Sequence, residues 1–156
     1  MQVWTYLDII NREIEHILIA TTGLPRSGKS SWAQCQMVPV VQPDSIRRAV
    51  HGLEFFGPAE PVVWTTALIM VRSLFLAGHP VIILDSTMAT EARRDEWLTK
   101  DWVTAFRLFD TLPAECKRRA EAAGDSAGKL AAIDRMAQQW ETLGVDKVRY
   151  EGDLPV

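Results

Sequence analysis

Short apolar runs alternate with helix-period segments along this chain. Residues 17–22 (ILIATT) form a run that stops at Gly23, the pattern of a strand buried on both faces. The stretch SSWAQCQ after Lys29 reads as a short helix. MVPVVQ (37–42) reads as a second strand, with Pro39 near its start, where a missing N–H does least damage, and DSIRRAV (44–50) as a helix capped by Asp44 or Ser45. HGLEFFGPAEP (51–61) holds two glycines and two prolines and reads as a loop, its paired phenylalanines expected to pack beneath it rather than to line a substrate mouth. An apolar helix over 62–77, a turn at AGHP and a strand over 81–84 ending in Asp85 come next. TEARRDEWLTKD (90–101) reads as a helix with Glu91 in its first turn, where a carboxylate suits the helix dipole. A strand at about residues 104–109 and two helices, PAECKRRAEAA and AGKLAAIDRMAQQWETL, follow, the helices separated by GDSAG. The tail DKVRYEGDLPV fits either an edge strand or a free end.

Alternating strands and helices imply a mainly parallel sheet, since parallel neighbours need crossover connections that helices supply. The expected class is α/β in three layers, and 156 residues suit a single domain over 1–156. The net charge of -3 and pI near 5.6 give no global pull toward nucleic acid, so such a partner would need a local basic track. Cys35 and Cys116 lack metal or disulfide spacing and read as free thiols. The start MQVWTYLDIINRE has no basic region, apolar core and cleavage site in series, so a cytoplasmic location is expected. Residues 62–77 include two threonines, an arginine and a serine, which fits a buried helix and no membrane partner.

Gly23, Gly28, Lys29 and Ser30 match GxxxxGK[ST], between a buried strand and a helix start, where that pattern has chemistry. Glycines let the backbone wrap phosphate oxygens so that N–H groups point inward, and the helix N-terminus adds its positive end. On this reading the loop holds a polyphosphate, with Lys29 on the β- and γ-phosphates and the Ser30 hydroxyl on a Mg²⁺; Arg26, Ser27 and Ser31 are further candidates in the loop. Asp44 follows the second strand, with Arg47 three residues on along the same helical face. A carboxylate there can take a proton from an attacking hydroxyl and an arginine can hold an anionic group; a helix cap and a solvated charge are the plainer alternatives. Asp85 leaves a buried strand beside the loop, suited either to supporting Mg²⁺ or to capping the next helix.

GLPRSGKSSWA, PDSIR and VIILDSTMATEARRDEW together resemble the P-loop 5'-hydroxyl polynucleotide kinases of phage type, in order and approximate spacing over nearly the whole chain. The resemblance implies a three-layer P-loop kinase fold and γ-phosphoryl transfer from ATP with Mg²⁺ to a hydroxyl acceptor, foremost a nucleic-acid 5'-hydroxyl. It further implies that Lys29 and Ser30 act on ATP and magnesium, Asp44 is the general base, Arg47 contacts a substrate phosphate and Asp85 is a functional aspartate. The family's arginine-bearing lid matches ECKRRAEAAG; Ala123 stands where its ATP-contacting arginine is expected, which leaves Arg119, Arg118 or Lys129 for that role. Arg48, Arg93 and Arg94 are the further cations available for a phosphate track. A kinase for a small hydroxyl acceptor and a non-catalytic nucleotide-binding module are the two rival readings. The six tryptophans read as packing residues rather than base-stacking platforms.

Overall fold

The computed structural model describes residues 1–11, 16–52 and 55–155. Strands β1 (Gln2–Trp4), β2 (Ile17–Gly23), β3 (Val40–Val41), β4 (Val81–Leu84), β5 (Val103–Phe109) and β6 (Val148–Tyr150) form one sheet in the order β1-β6-β5-β2-β4-β3, every pairing parallel. The central β2 is buried along its whole length, Ile17 facing Val81 on one side and Val103 on the other.

Alternation along the strands splits the core in two. Leu18, Ala20, Ile82, Leu84 and Phe106 point to one face, where α3 (Pro43–His51) contributes Ile46 and α4 (Glu60–Leu76) contributes Val63, Ala67, Val71 and Phe75. Ile17, Ile19, Ile83 and Ala105 point to the other, where α1 (Tyr6–Asn11) supplies Ile9, α2 (Lys29–Cys35) supplies Ala33, and Trp4 and Tyr150 close the end. The helices α5 (Glu91–Asp95), α6 (Pro113–Ala122) and α7 (Ala127–Gln138) complete the layers. The α/β class with a parallel sheet flanked by helices is therefore the observed fold.

Several elements differ from the sequence reading, each for a local reason. The second strand shrinks to Val40–Val41, because Pro39 cannot donate and Met37 sits at φ 54. Helix α3 starts one residue earlier, at Pro43, with Gln42 as its N-cap; Asp44 and Ser45 lie in the first turn and cap nothing. The predicted helix over 90–101 stops at Asp95, and Thr90 caps it by accepting from the Arg93 N–H. The final helix ends at Gln138. The tail forms neither an edge strand nor a free end: β6 lies inside the sheet, and the unassigned N-terminal extension supplies the edge as β1. Phe55 and Phe56 stand exposed instead of packing beneath their loop, whose residues 53–54 lie outside the described residues. Gly57–Leu76 is long and apolar enough to cross a membrane by length and composition, yet it buries only one stripe of α4 on the sheet, and Val62, Ile69 and Leu76 face outward.

Candidate functional site

The loop from Gly23 to Gly28 runs from the end of β2 into α2. Gly23 has no room for a side chain: a Cβ would lie 2.7 Å from the Ser27 hydroxyl and 2.8 Å from the Phe109 backbone oxygen. Gly28, at φ 104, takes the left-handed conformation that turns the chain into the helix, and it has no side chain with which to cap it. The first-turn N–H groups are left for an outside acceptor, which fits an anion. Ser27 Oγ is buried without a partner. Ser31 is exposed beside the loop.

Lys29 is buried, and its ammonium donates to the Leu24 carbonyl at 2.8 Å. Burial pushes its pKa below the ordinary lysine value, against the pull of the Asp85 and Asp44 charges. Ser30 lies close by, linked through Gln42: the Gln42 amide donates to Ser30 Oγ at 3.4 Å and to Asp85 Oδ2 at 2.8 Å. Asp85 is buried, accepts from Thr21 Oγ1 at 3.2 Å, and is not a helix cap, since Thr90 caps α5. Among the described residues no group of three or more His, Cys, Asp or Glu side chains is arranged to hold a metal ion, and Ser30 with Asp85 suits a Mg²⁺ whose other ligands are phosphate oxygens, the usual arrangement for that ion.

Asp44 stands exposed on α3, and Arg47 Nη1 donates to it. The rest of the Arg47 guanidinium is held by Glu60 of α4, Nε and Nη2 donating to its two oxygens at 2.7 and 2.8 Å. Burial works against the Arg47 charge, but Glu60 and then Asp44 outweigh it and hold the pKa above the ordinary value. Glu60 also accepts from Trp64 Nε1 at 3.1 Å, and Arg93 lies over the Trp64 ring at 4.2 Å. The Ser45, Ile46, Ala49 and Val50 side of α3 lines a groove of about 470 Å³ that reaches Gln42 and Asp85.

From the other side, α6 and α7 close on the loop. Leu24 packs with Cys116, Ala120 and Ile133. Arg26, at φ 65, makes a two-pronged pair with Asp125 at 2.6 and 2.7 Å. Arg119 donates to the Arg26 carbonyl at 3.2 Å and to Glu115 at 2.8 Å, whereas Arg118 bonds Glu115 alone and is the more exposed of the two. Lys129 reaches Asp125 at 3.7 Å. Of the lid candidates, Arg119 makes a hydrogen bond to the loop, at the Arg26 carbonyl. Arg94 of the expected phosphate track is fully buried, bonded to the Met88 carbonyl and Glu91, so it cannot meet a solvent-side phosphate.

Sequence reasoning missed Gln42, Glu60 and Asp125, polar partners joined only through the tertiary fold. The motif spacings carry no signal for Glu60 or Asp125, while Gln42 stands next to PDSIR and was readable as a neighbour of the site.

Against known proteins, the family model described as an AAA domain matches residues 18–143. No curated protein matches significantly. Among solved structures the chain is similar to one in the Pnkp1/Rnl/Hen1 RNA repair complex, with TM-score 0.66 and 22% identity over 83% of this chain and 45% of that one. A chain in a second Pnkp1/Rnl/Hen1 complex structure gives TM-score 0.63 and 24% identity over 70% and 40%. A gluconokinase from Sinorhizobium meliloti 1021 gives 0.59 and 16% over 89% and 83%. The chain thus spans less than half the length of the chains it matches in the repair complexes. These likenesses concern fold, and the fold they share is that of P-loop kinases. With the family model covering most of its length and the glycine loop, buried lysine and parallel sheet all in place, the chain belongs to the AAA domain family as a P-loop kinase-like domain.

Proposed function

We propose that the chain is a phosphotransferase that moves the γ-phosphoryl group of ATP, with Mg²⁺, to a hydroxyl acceptor, foremost the 5'-hydroxyl of a polynucleotide. The observation that carries this reading is the Asp44 carboxylate, exposed in the first turn of α3 and bonded to Arg47, on the helix that follows Gln42, whose amide joins Ser30 and Asp85. In the proposed step Asp44 takes the acceptor's proton as its oxygen bonds to the γ-phosphorus, and the bond to the β-phosphate oxygen breaks as ADP leaves. Lys29 and the first-turn N–H groups hold the transferring charge, Arg119 contributes from the lid, and Arg47 orients Asp44 or meets a substrate phosphate. Mg²⁺, when bound, neutralises charge on the β- and γ-phosphates, with Ser30 as its protein oxygen and Asp85 behind it. The polynucleotide acceptor is supported by the sequence blocks and by the likeness to chains of the Pnkp1/Rnl/Hen1 complexes.

A small neutral acceptor is the second reading. It is favoured by the groove reaching Asp85, whose lining contains no cation, and by Arg47 being already balanced by two carboxylates. Labelled ATP offered with a 5'-hydroxyl oligonucleotide, free nucleosides and sugars separates these cases. Transfer to the oligonucleotide fastest supports the first reading, and to a small alcohol fastest the second. Asp44→Asn is expected to slow single-turnover transfer by roughly a hundredfold with ATP binding largely intact. Transfer to none of the acceptors, or equal loss of binding and transfer in the variant, defeats the assignment.

A further inference from the structure

Arg107, on β5, is a partly buried arginine without an acid partner among the described residues. Arg47, Arg93, Arg94 and Arg149, which are also partly or wholly enclosed, each hold a carboxylate. Arg107 has no ion pair or hydrogen bond among the described residues, and its Nε is fully enclosed with no partner. Its guanidinium instead lies over two aromatic rings, 4.6 Å from the centroid of Trp32 and 5.1 Å from that of Phe109. Enclosing a cation without an opposite charge costs stability, and burial indeed lowers its pKa despite the more distant Asp153.

The position of this shelf gives that cost a use. Trp32 is one helical turn beyond Gly28, its N–H bonded to the Gly28 carbonyl. The Phe109 side chain reaches to about 4 Å from where a Gly28 Cβ would stand, and closes against Gly23 as well. The shelf therefore adjoins the phosphate loop: Phe109 ends β5 opposite Gly23 and Arg107, two residues earlier, pairs with Thr21, close to the carboxyl ends of the strands, where ligands of parallel α/β sheets bind. A guanidinium lying on rings presents its N–H groups at its edge, as a fork that matches two adjacent acceptors. On the same rim the Asp153 carboxylate accepts from Trp32 Nε1 at 2.7 Å through Oδ1, with Oδ2 as a further acceptor.

We propose that the Trp32–Arg107–Phe109 shelf receives the base of the phosphoryl donor and favours guanine over adenine, so that GTP serves as a donor beside the ATP of the proposed reaction. Guanine offers O6 and N7 as paired acceptors to an arginine fork and N–H donors on its opposite edge for a carboxylate; adenine sets an amino donor beside N7, facing the arginine's own donors. Because the guanidinium covers the ring faces on its side, the rings offer apolar contact at their edges, which every base shares. The proposal rests on the phosphotransferase reading for the word donor, but it is measured by binding alone.

Titration of the full chain with magnesium tripolyphosphate, GTP and ATP separates the loop from the shelf, because tripolyphosphate has no base. The wild type is expected to bind GTP about fivefold or more tighter than ATP, and both tighter than tripolyphosphate. Arg107→Ala should bring the GTP-to-ATP ratio to about one, leaving tripolyphosphate affinity unchanged. Arg107→Gln should turn the ratio toward ATP, since a glutamine amide matches adenine N6 and N7, an outcome a merely structural arginine would not produce. A ratio near one in the wild type, or one that neither variant moves, overturns the shelf. Tripolyphosphate binding that survives Lys29→Met overturns the phosphate-loop reading instead, and the GTP-to-ATP ratio still judges the shelf.

Discussion

Lys29 is enclosed at the expense of the protein's own stability. Its ammonium is enclosed with one carbonyl 2.8 Å away, and the pull of Asp85 and Asp44 does not offset burial, so its pKa lies below the ordinary value. A lysine with a depressed folded pKa carries its full penalty below that pKa, and the penalty fades as pH rises toward the unfolded value of about 10.4. Apo-protein stability, followed by denaturant titration at several pH values, should therefore climb through the alkaline range. Lys29→Met should flatten that climb and raise stability at neutral pH by about 1 kcal/mol, while abolishing phosphoryl transfer. Lower stability in the variant would mean that the Leu24 contact outweighs desolvation. Lys29, Ser30, Asp44 and Asp85 were legible in the sequence because contiguous motifs and strand ends fix their neighbourhood. Glu60 was not, because its bond to Arg47 spans the loop between α3 and α4, a distance that no local pattern encodes.

At the level of elements, the pair α6–α7 flanks the phosphate loop through few contacts. It meets the phosphate loop through the Leu24 cluster, the Arg119 contact to a carbonyl, and the Arg26–Asp125 pair. Arg26 is a non-glycine in the left-handed region, a conformation costing roughly 1 kcal/mol, and Asp125 holds its side chain there. Hydrogen bonds from Arg26 keep the Asp125 carboxyl below the usual range, so this latch is complete above about pH 3.9 and is lost as pH falls through the lowered folded value. Asp125→Asn, which removes the charge at similar size, is expected to speed amide exchange in residues 113–138 by about tenfold, with magnesium nucleotide slowing it again. Unchanged exchange would leave apolar packing as the whole of the lid's attachment. The existence of both helices was legible from their periodicity, but their docking was not: Cys116 and Ala120 look like ordinary helix residues until Leu24 is set against them.

At the scale of the whole molecule, elements from both ends of the sequence meet at one side of the sheet, β1 pairing with β6, and three of the four arginines of α3 and α5 are held by carboxylates. The parallel order of the inner strands followed from strand–helix alternation. The β1–β6 pairing did not, because strands of three residues at opposite ends of the sequence carry too little pattern to declare a partner. The charge distribution leads to a sharper expectation about the acceptor. With a net charge of -3, Arg94 fully buried, Arg47 bonded to Asp44 and Glu60, and Arg93 bonded to Glu96, Arg48 is the exposed arginine of α3 without an ion pair among the described residues. An oligonucleotide engaging this face would meet only one or two effective positive charges. Its apparent affinity should then fall with salt at a log–log slope of about -1 to -2, and Arg48→Ala should reduce that slope by about 1. A nucleoside acceptor, carrying no phosphate, should show almost none of this dependence. Measuring acceptor KM for a 5'-hydroxyl oligonucleotide from 50 to 300 mM salt, at saturating nucleotide, tests the point; a slope near -5 would require a basic surface that α3 does not have, and would move the polynucleotide path to another side of the molecule.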